Sequence, residues 1–258
     1  MFEYLKQPRN ITKFNLMRGT TDFGELTQFN MYETGYSYLA LISIPKFLEV
    51  LAQKNSNYTA LIDNYKHIIE REFKGLDGLE DITADTAEIT DGISTINVIN
   101  KVNKQSASTF TLNYQEKSGS VLTRVHELYL NGIKDPRTQV KHYHGLIQTG
   151  EVEAGYENET FSFLYFVTDN TMTQIEKAYY IVGAQPTKAQ TSIYESTKGE
   201  IGFADISVEF NGFPITSNEV DRKAKEYLDW LNNPSNPDHI VVDSTEFAYT
   251  GVDKIKAK

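Results

Sequence analysis

Histidines and paired carboxylates are the residues of this sequence best suited to chemistry. His142-Tyr143-His144, with His126 upstream, could offer imidazole nitrogens to zinc, because two His two positions apart on a strand share a face. The chain has only five His and no HExxH pair, so the plainer reading is a loop after a helix, with polar aromatics packing locally. Glu151 with Glu153, and Glu157 with Glu159, could be the two carboxylates of a glycosidase. That chemistry needs an acid and a base driven apart in pKa across a cleft. Neighbouring Glu in a Gly-containing acidic stretch read instead as a solvated loop or hairpin. Asp77, Glu80, Asp81 and Asp85 lie close enough in sequence to suggest calcium, but the EF-hand ligand order is missing. There is no phosphate-binding glycine loop and no GxSxG elbow. Cysteine is absent, which removes thiol nucleophiles, thiolate zinc sites and disulfides. The expectation is a protein without catalytic residues, metal or cofactor.

Composition narrows the class further. With 258 residues, 40% hydrophobic and 12% aromatic, the chain carries too much apolar mass for a disordered protein and enough for a sizeable core. A net charge of −10 argues against tight general binding to nucleic acid, which needs clustered Lys and Arg. The most apolar short run, Tyr38 to Ile44, is far below membrane-spanning length. The first residues lack a basic stretch followed by a long apolar one, so no secretory signal is expected.

The elements that must position these residues are mostly strands. Residues up to about Thr34 are polar and read as an extended arm. Tyr36 to Ile44, ending at Pro45, suits a buried strand. A brief helix is expected over Lys46 to Gln53. A longer one has Tyr58, Leu61, Ile62, Tyr65, Ile68, Ile69 and Phe73 on one stripe, capped by Asn57 and closed at Gly75. Ile93 to Val102 reads as a strand with Ile96, Val98 and Val102 on one face. Phe110, Leu112 and Tyr114 alternate with polar residues, so the two stretches read as a long hairpin or as neighbouring strands. Ser118 or Ser120 opens a helix carrying Val121, Leu122, Val125, Leu128 and Tyr129, and Asn131-Gly132 closes it. Phe161 to Val167, Lys177 to Ala184 and Phe203 to Phe210 are further strands, the last ended by Gly212 and Pro214. A helix from about Asn218 and a final strand within His239 to Tyr249 complete the chain. Strands not separated regularly by helices disfavour a doubly wound parallel sheet. They favour a mainly β, α+β protein: an antiparallel barrel or sandwich with helices at its edges.

From Gly75 to Asn100 there is no Lys or Arg but there are six acids, Asp77, Glu80, Asp81, Asp85, Glu88 and Asp91. The run is either a solvated face or a negative surface past which a polyanion slides without sticking.

The order of elements carries a resemblance. Residues 108–133, STFTLNYQEKSGSVLTRVHELYLNGI, form an alternating strand followed at once by an amphipathic helix. This is similar to the strand-then-helix segment of bacteriophage tail tube proteins. Residues 177–214 resemble the family further: an aromatic-rich strand, a corner at Gly183 to Pro186, a short strand, a polar turn and an alternating strand. Tyr36 to Pro45 resembles the family's first barrel strand. The resemblance implies an antiparallel two-sheet β-barrel or sandwich of tail-tube type, with peripheral helices, as a single domain over 1–258. Within it, 1–35 would be an N-terminal arm, 46–75 a helical insertion and 215–258 a C-terminal helix and tail.

It also implies stacked hexameric rings forming the inner tube of a contractile tail, which conducts the genome into the host. The partners would be other copies, tail sheath, baseplate and tape-measure proteins, with DNA passing through the lumen unbound. The protein would be assembled in the host cytoplasm, reside in the virion tail and need no membrane. Ile96, Val98, Val102, Phe110, Leu112 and Tyr114 would form the inter-subunit hairpin. Some of Asp77 to Asp91 or of Glu151, Glu153, Glu157 and Glu159 would face the lumen and repel phosphate. Two other readings stand beside this one. One is a ring protein of a contractile injection or type VI-like system; the other is a carbohydrate-binding or hydrolytic β-sandwich.

Overall fold

Phe161 to Val167 is apolar at nearly every position, and in the computed structural model it is a strand covered on both faces. The structure describes residues 35–79, 83–91, 94–102, 108–195, 204–233 and 235. The elements in chain order are β1 (Ser37–Ser43), α1 (Lys46–Lys54), α2 (Ser56–Arg71), β2 (Phe73–Asp77), β3 (Ala84–Asp91) and β4 (Ser94–Val102). There follow β5 (Ser108–Gln115), α3 (Val121–Ile133), α4 (His144–Gln148), β6 (Phe161–Thr168), β7 (Ile175–Pro186), β8 (Asp205–Ile215) and α5 (Asn218–Leu231). The expected arm over 1–35 falls, but for Gly35, outside the described residues, as does the expected strand within His239 to Tyr249.

Every strand pairing described is antiparallel. A six-stranded sheet runs in the order β1-β6-β7-β8-β5-β2, and β3 with β4 makes a separate two-stranded ribbon. The outermost strands β1 and β2 come within 8 Å of one another, so the large sheet curls into a half-barrel. This is the mainly antiparallel β architecture with peripheral helices that the strand pattern predicts. The core lies between the curled sheet and helices α1, α2 and α3.

Aromatic rings fill the inner face. Phe161, Phe163 and Phe210 are fully buried. Phe210 meets Phe163 edge to face at 5.6 Å, and Phe73 reaches across the curl to Tyr165 at 6.1 Å. Each such side chain contributes about 1.5–3 kcal/mol through apolar burial. On the outer face, Ala224, Leu228 and Leu231 of α5 cover Ala40, Leu164, Phe166 and Ala178, which is why β6 is apolar on this face as well.

Several local expectations are corrected. Asn55, not Asn57, caps α2, its side chain accepting from Asn57 N at 3.0 Å; Gly75 lies within β2, at a register shift. Ser120 precedes α3 but its hydroxyl caps nothing. Instead the Glu116 carboxylate accepts from Leu122 N, Thr123 N and Thr123 Oγ1, placing negative charge at the positive end of the helix. Gly132 does not close α3, which continues to Ile133. A Cβ there would meet Phe47 Cε2 at 2.6 Å, so glycine is required by the close approach of α1. Gly212 and Pro214 lie inside β8 rather than ending it.

The expected hairpin of Ile93 to Gln115 is not formed. β4 pairs with β3, whereas β5 pairs with β2 and β8. Phe110, Leu112 and Tyr114 belong to the molecule's own core, each at most 1% exposed.

His126 of α3 is fully buried, its Nε2 3.2 Å from Tyr65 Oη and its ring edge-on to Phe210. Burial without a carboxylate partner lowers its pKa from 6.5 to about 3. Above pH 6.5 the ring is neutral in both states. Below that, the unfolded chain takes up a proton that the folded one refuses, so stability falls between about pH 6.5 and 3. The expected slope from this group is at most about 1.4 kcal/mol per pH unit. Denaturant titrations across that range should show it, and His126→Phe should flatten it; an unchanged slope in the variant would contradict the assignment.

Candidate assembly surfaces

The β3–β4 ribbon is the most unusual surface. Ile89, Ile96, Val98, Ile99 and Val102 are 44–64% exposed. Ile89 pairs with Ile96 and Ala87 with Val98, so these four share one face. A register shift between Asp85 and Thr86 inserts Asn100 on β4, and Val102 therefore falls out of step with Ile96 and Val98, contrary to the simple alternation expected. A two-stranded ribbon alone is marginally stable in water, and exposed apolar patches mark contact sites. Such a ribbon needs cover.

A second surface is the outer face of β2, β5 and β8, which no described element covers with apolar groups. Asn113 Nδ2 donates to Asp77 Oδ2 at 2.7 Å, and Ser207 Oγ donates to Asn113 Oδ1 at 2.7 Å. Thr109 Oγ1 donates to Asn211 Oδ1 at 3.1 Å, and Lys74 pairs with Asp205 at 2.5 Å. The alternation of β8 drives this: Ile206, Val208 and Phe210 point inward, which leaves Asp205, Ser207, Glu209 and Asn211 outward.

The acids named from sequence are scattered by the fold. Asp77 sits on the polar face, and Asp85 and Glu88 on the exposed ribbon. Asp91 ends β3, pairing with Ser94. Glu80 and Asp81 lie outside the described residues. Glu151 pairs with Lys54 at 2.5 Å, while Glu153 and Glu157 are exposed in the loop before β6. Glu159 corrects the solvated-loop expectation. It is 8% exposed, pairs with Lys141 and accepts from the Tyr143 hydroxyl, while Tyr129 Oη donates to its carbonyl at 2.7 Å. That network pins the loop to α3.

The histidines do not converge. His142 and His144 lie in the turn into α4 and contact the carbonyls of Asn131 and Lys141, each at 3.2 Å, while His126 is buried elsewhere. Among the described residues no three His, Asp or Glu side chains are grouped to hold a metal ion. No helix described is long and apolar enough to cross a membrane.

The edge of β1 carries a residue the sequence reading missed. Glu70, near the end of α2, accepts from Leu41 N at 2.7 Å, covering a backbone donor on the strand's free side. Burial raises its pKa, against the opposing pull of the Leu41 amide, His67 and Arg71. Its place between His67 and Arg71 on a helix gave no hint of contact with a strand.

Compared with known proteins, residues 15–253 match the model of a family described as phage tail tube protein. Solved structures with a similar chain include the PVC sheath-tube complex of an extracellular contractile injection system in its extended state. That likeness has 11% identity and a TM-score of 0.34, covering 77% of this chain and 99% of that one. Another is the tube terminating cap of the anti-feeding prophage, with 14% identity and a TM-score of 0.38, covering 73% and 93%. Likenesses at this level carry no functional argument. No curated protein matches the chain by sequence.

The Glu70 contact makes a two-armed prediction. Glu70→Ala removes the acceptor and should cost about 1 kcal/mol by chemical denaturation at pH 7. Glu70→Gln keeps an acceptor without a buried charge and should be close to neutral. Equal losses in both would show that the charge, not the hydrogen bond, matters.

Proposed function

The chain belongs to the phage tail tube protein family, and from that premise we propose that it is a self-assembling subunit of the tail's inner tube. Membership gives it a structural role in a phage tail. The finer reading is that copies close into hexameric rings that stack into a hollow conduit for the genome, within a sheath and on a baseplate. It acts without catalysis, through strand pairing and apolar burial between copies.

The observation that carries this reading is the β3–β4 ribbon, whose apolar side chains Ile89, Ile96, Val98, Ile99 and Val102 are exposed. A ribbon reaching from each copy to the next makes a head-to-tail contact, which closes into a ring when the rotation permits. Ile96, Val98 and Val102 keep their proposed inter-subunit role on this reading, with Ile89 and Ile99 added and Phe110, Leu112 and Tyr114 withdrawn to the core.

Asp77 on the polar face and Asp85 and Glu88 on the ribbon are the acids proposed to line a lumen, each exposed at the surface of the described chain. A negative wall would let DNA pass without the counterion release that holds it in a basic channel. Glu159 is withdrawn, because its carboxylate is buried against Lys141.

Ile96→Asp combined with Val98→Asp tests the assembly reading. Both side chains are exposed, so the folded monomer should keep its stability within about 0.5 kcal/mol. Rings and tubes, followed by light scattering and negative-stain microscopy, should be lost. Normal assembly by the double variant would overturn the role given to the ribbon.

A further inference from the structure

We propose that the cleft at the Gly183 corner of β7 is a binding site for a neutral pyranose sugar. The cleft has a volume of about 410 Å³, within the range of small-molecule sites. Tyr156, Glu157 and Thr160 of the loop before β6 form one side of it, and residues of β6, β7 and β8 form the other. A register shift between Val182 and Gln185 takes β7 out of step with β8 there. Gly183, at φ +66°, brings no side chain into the space, and a Cβ on it would meet Tyr156 Oη at 2.9 Å.

Hydrogen bonds fix the shape of this cleft in the free chain. Tyr156 Oη donates to Gly183 O at 2.9 Å, and Asn158 Nδ2 donates to Glu153 O at 3.0 Å. Tyr129 Oη holds the same loop through the Glu159 carbonyl. A site formed in advance loses less ordering entropy when it binds. Because Tyr156 is anchored by its hydroxyl, the residue stays 61% exposed, and Phe213 of β8 is 41% exposed. Aromatic rings beside a cleft suit the apolar C–H face of a sugar, since the face of such a ring carries the negative end of its quadrupole.

Polar groups complete the match. Thr160 is only 6% exposed, yet its hydroxyl bonds to none of the described residues and is not sealed in the interior, so it opens onto the cleft it lines. An unpaired hydroxyl at that depth is costly, and a sugar hydroxyl would satisfy it. Ser162 and Glu157 line the same cleft, and Asn211 keeps its amide donors available while its Oδ1 accepts from Thr109. Glu157 is the one charged side chain among the described lining residues, so the cleft favours neutral sugars over uronic or sialic acids. Cleavage would need a second carboxylate across the sugar, and Glu159 is turned away to Lys141. The site therefore binds without cutting.

The test uses the dilute, unassembled full-length chain, so it does not depend on ring formation. The probes are the methyl glycosides of glucose, galactose and N-acetylglucosamine, with glucuronic acid as the anionic control. Saturation-transfer NMR should detect at least one neutral glycoside and leave glucuronic acid unbound. Phe213→Ala removes an exposed ring and should weaken that binding about tenfold without lowering the denaturation midpoint. Thr160→Val keeps the shape and removes the hydroxyl. It should weaken binding severalfold and leave the midpoint unchanged or higher, because that hydroxyl has no protein partner to lose. No binding by any of the three glycosides would overturn the proposal. So would binding unaltered in both variants, which would put the sugar elsewhere. Glucuronic acid binding as well as the neutral glycosides would overturn the neutral-sugar assignment.

Discussion

The rings of Phe161, Phe163 and Phe210 meet inside the curled sheet, and helices α1, α2 and α3 close over them. Most of the remaining arrangement follows from filling that inner face. The curl brings β1 and β2 near each other, so Phe73 can reach Tyr165 and α2 can set Glu70 against the edge of β1. Gly132 admits Phe47 to the same core, and the Glu159 network ties the long loop before β6 down onto α3. With the inner face satisfied this way, the outer face divides. α5 covers the β1, β6 and β7 end, and a hydrogen-bonded polar layer occupies β2, β5 and β8.

This division determines where interactions with other molecules can form. Among the described residues, the β3–β4 ribbon keeps its apolar side chains exposed. It forms a separate two-stranded sheet with no described element packed behind it, which suits a partner chain.

Strong local patterns were legible in the sequence. β6 announced itself by being apolar on both faces, β8 by strict alternation, and α5 by its stripe of Val220, Ala224, Tyr227, Leu228 and Leu231. Long-range partnerships were not legible. Nothing local distinguishes β4 pairing backward with β3 from pairing forward with β5, because both are antiparallel neighbours in sequence. The burial of Phe110, Leu112 and Tyr114 follows from that choice. Glu159 looked like one more acid in an acidic loop, since only the fold brings Lys141 and Tyr143 to it. Glu70 and Glu116 were overlooked for the same reason, their partners being backbone amides set by tertiary placement and cap geometry. The tail-tube resemblance was visible because it rests on the order of strands and helices, which local patterns do report.

The measurement that tests the account most directly is a high-resolution cryo-electron microscopy map of the assembled protein, read for the position of residues 84–102. The account predicts a closed ring in which each copy's ribbon packs on its neighbour, with Ile96 and Val98 buried between them. A map of rings whose ribbons lie on the exterior, with both faces in solvent, would contradict it.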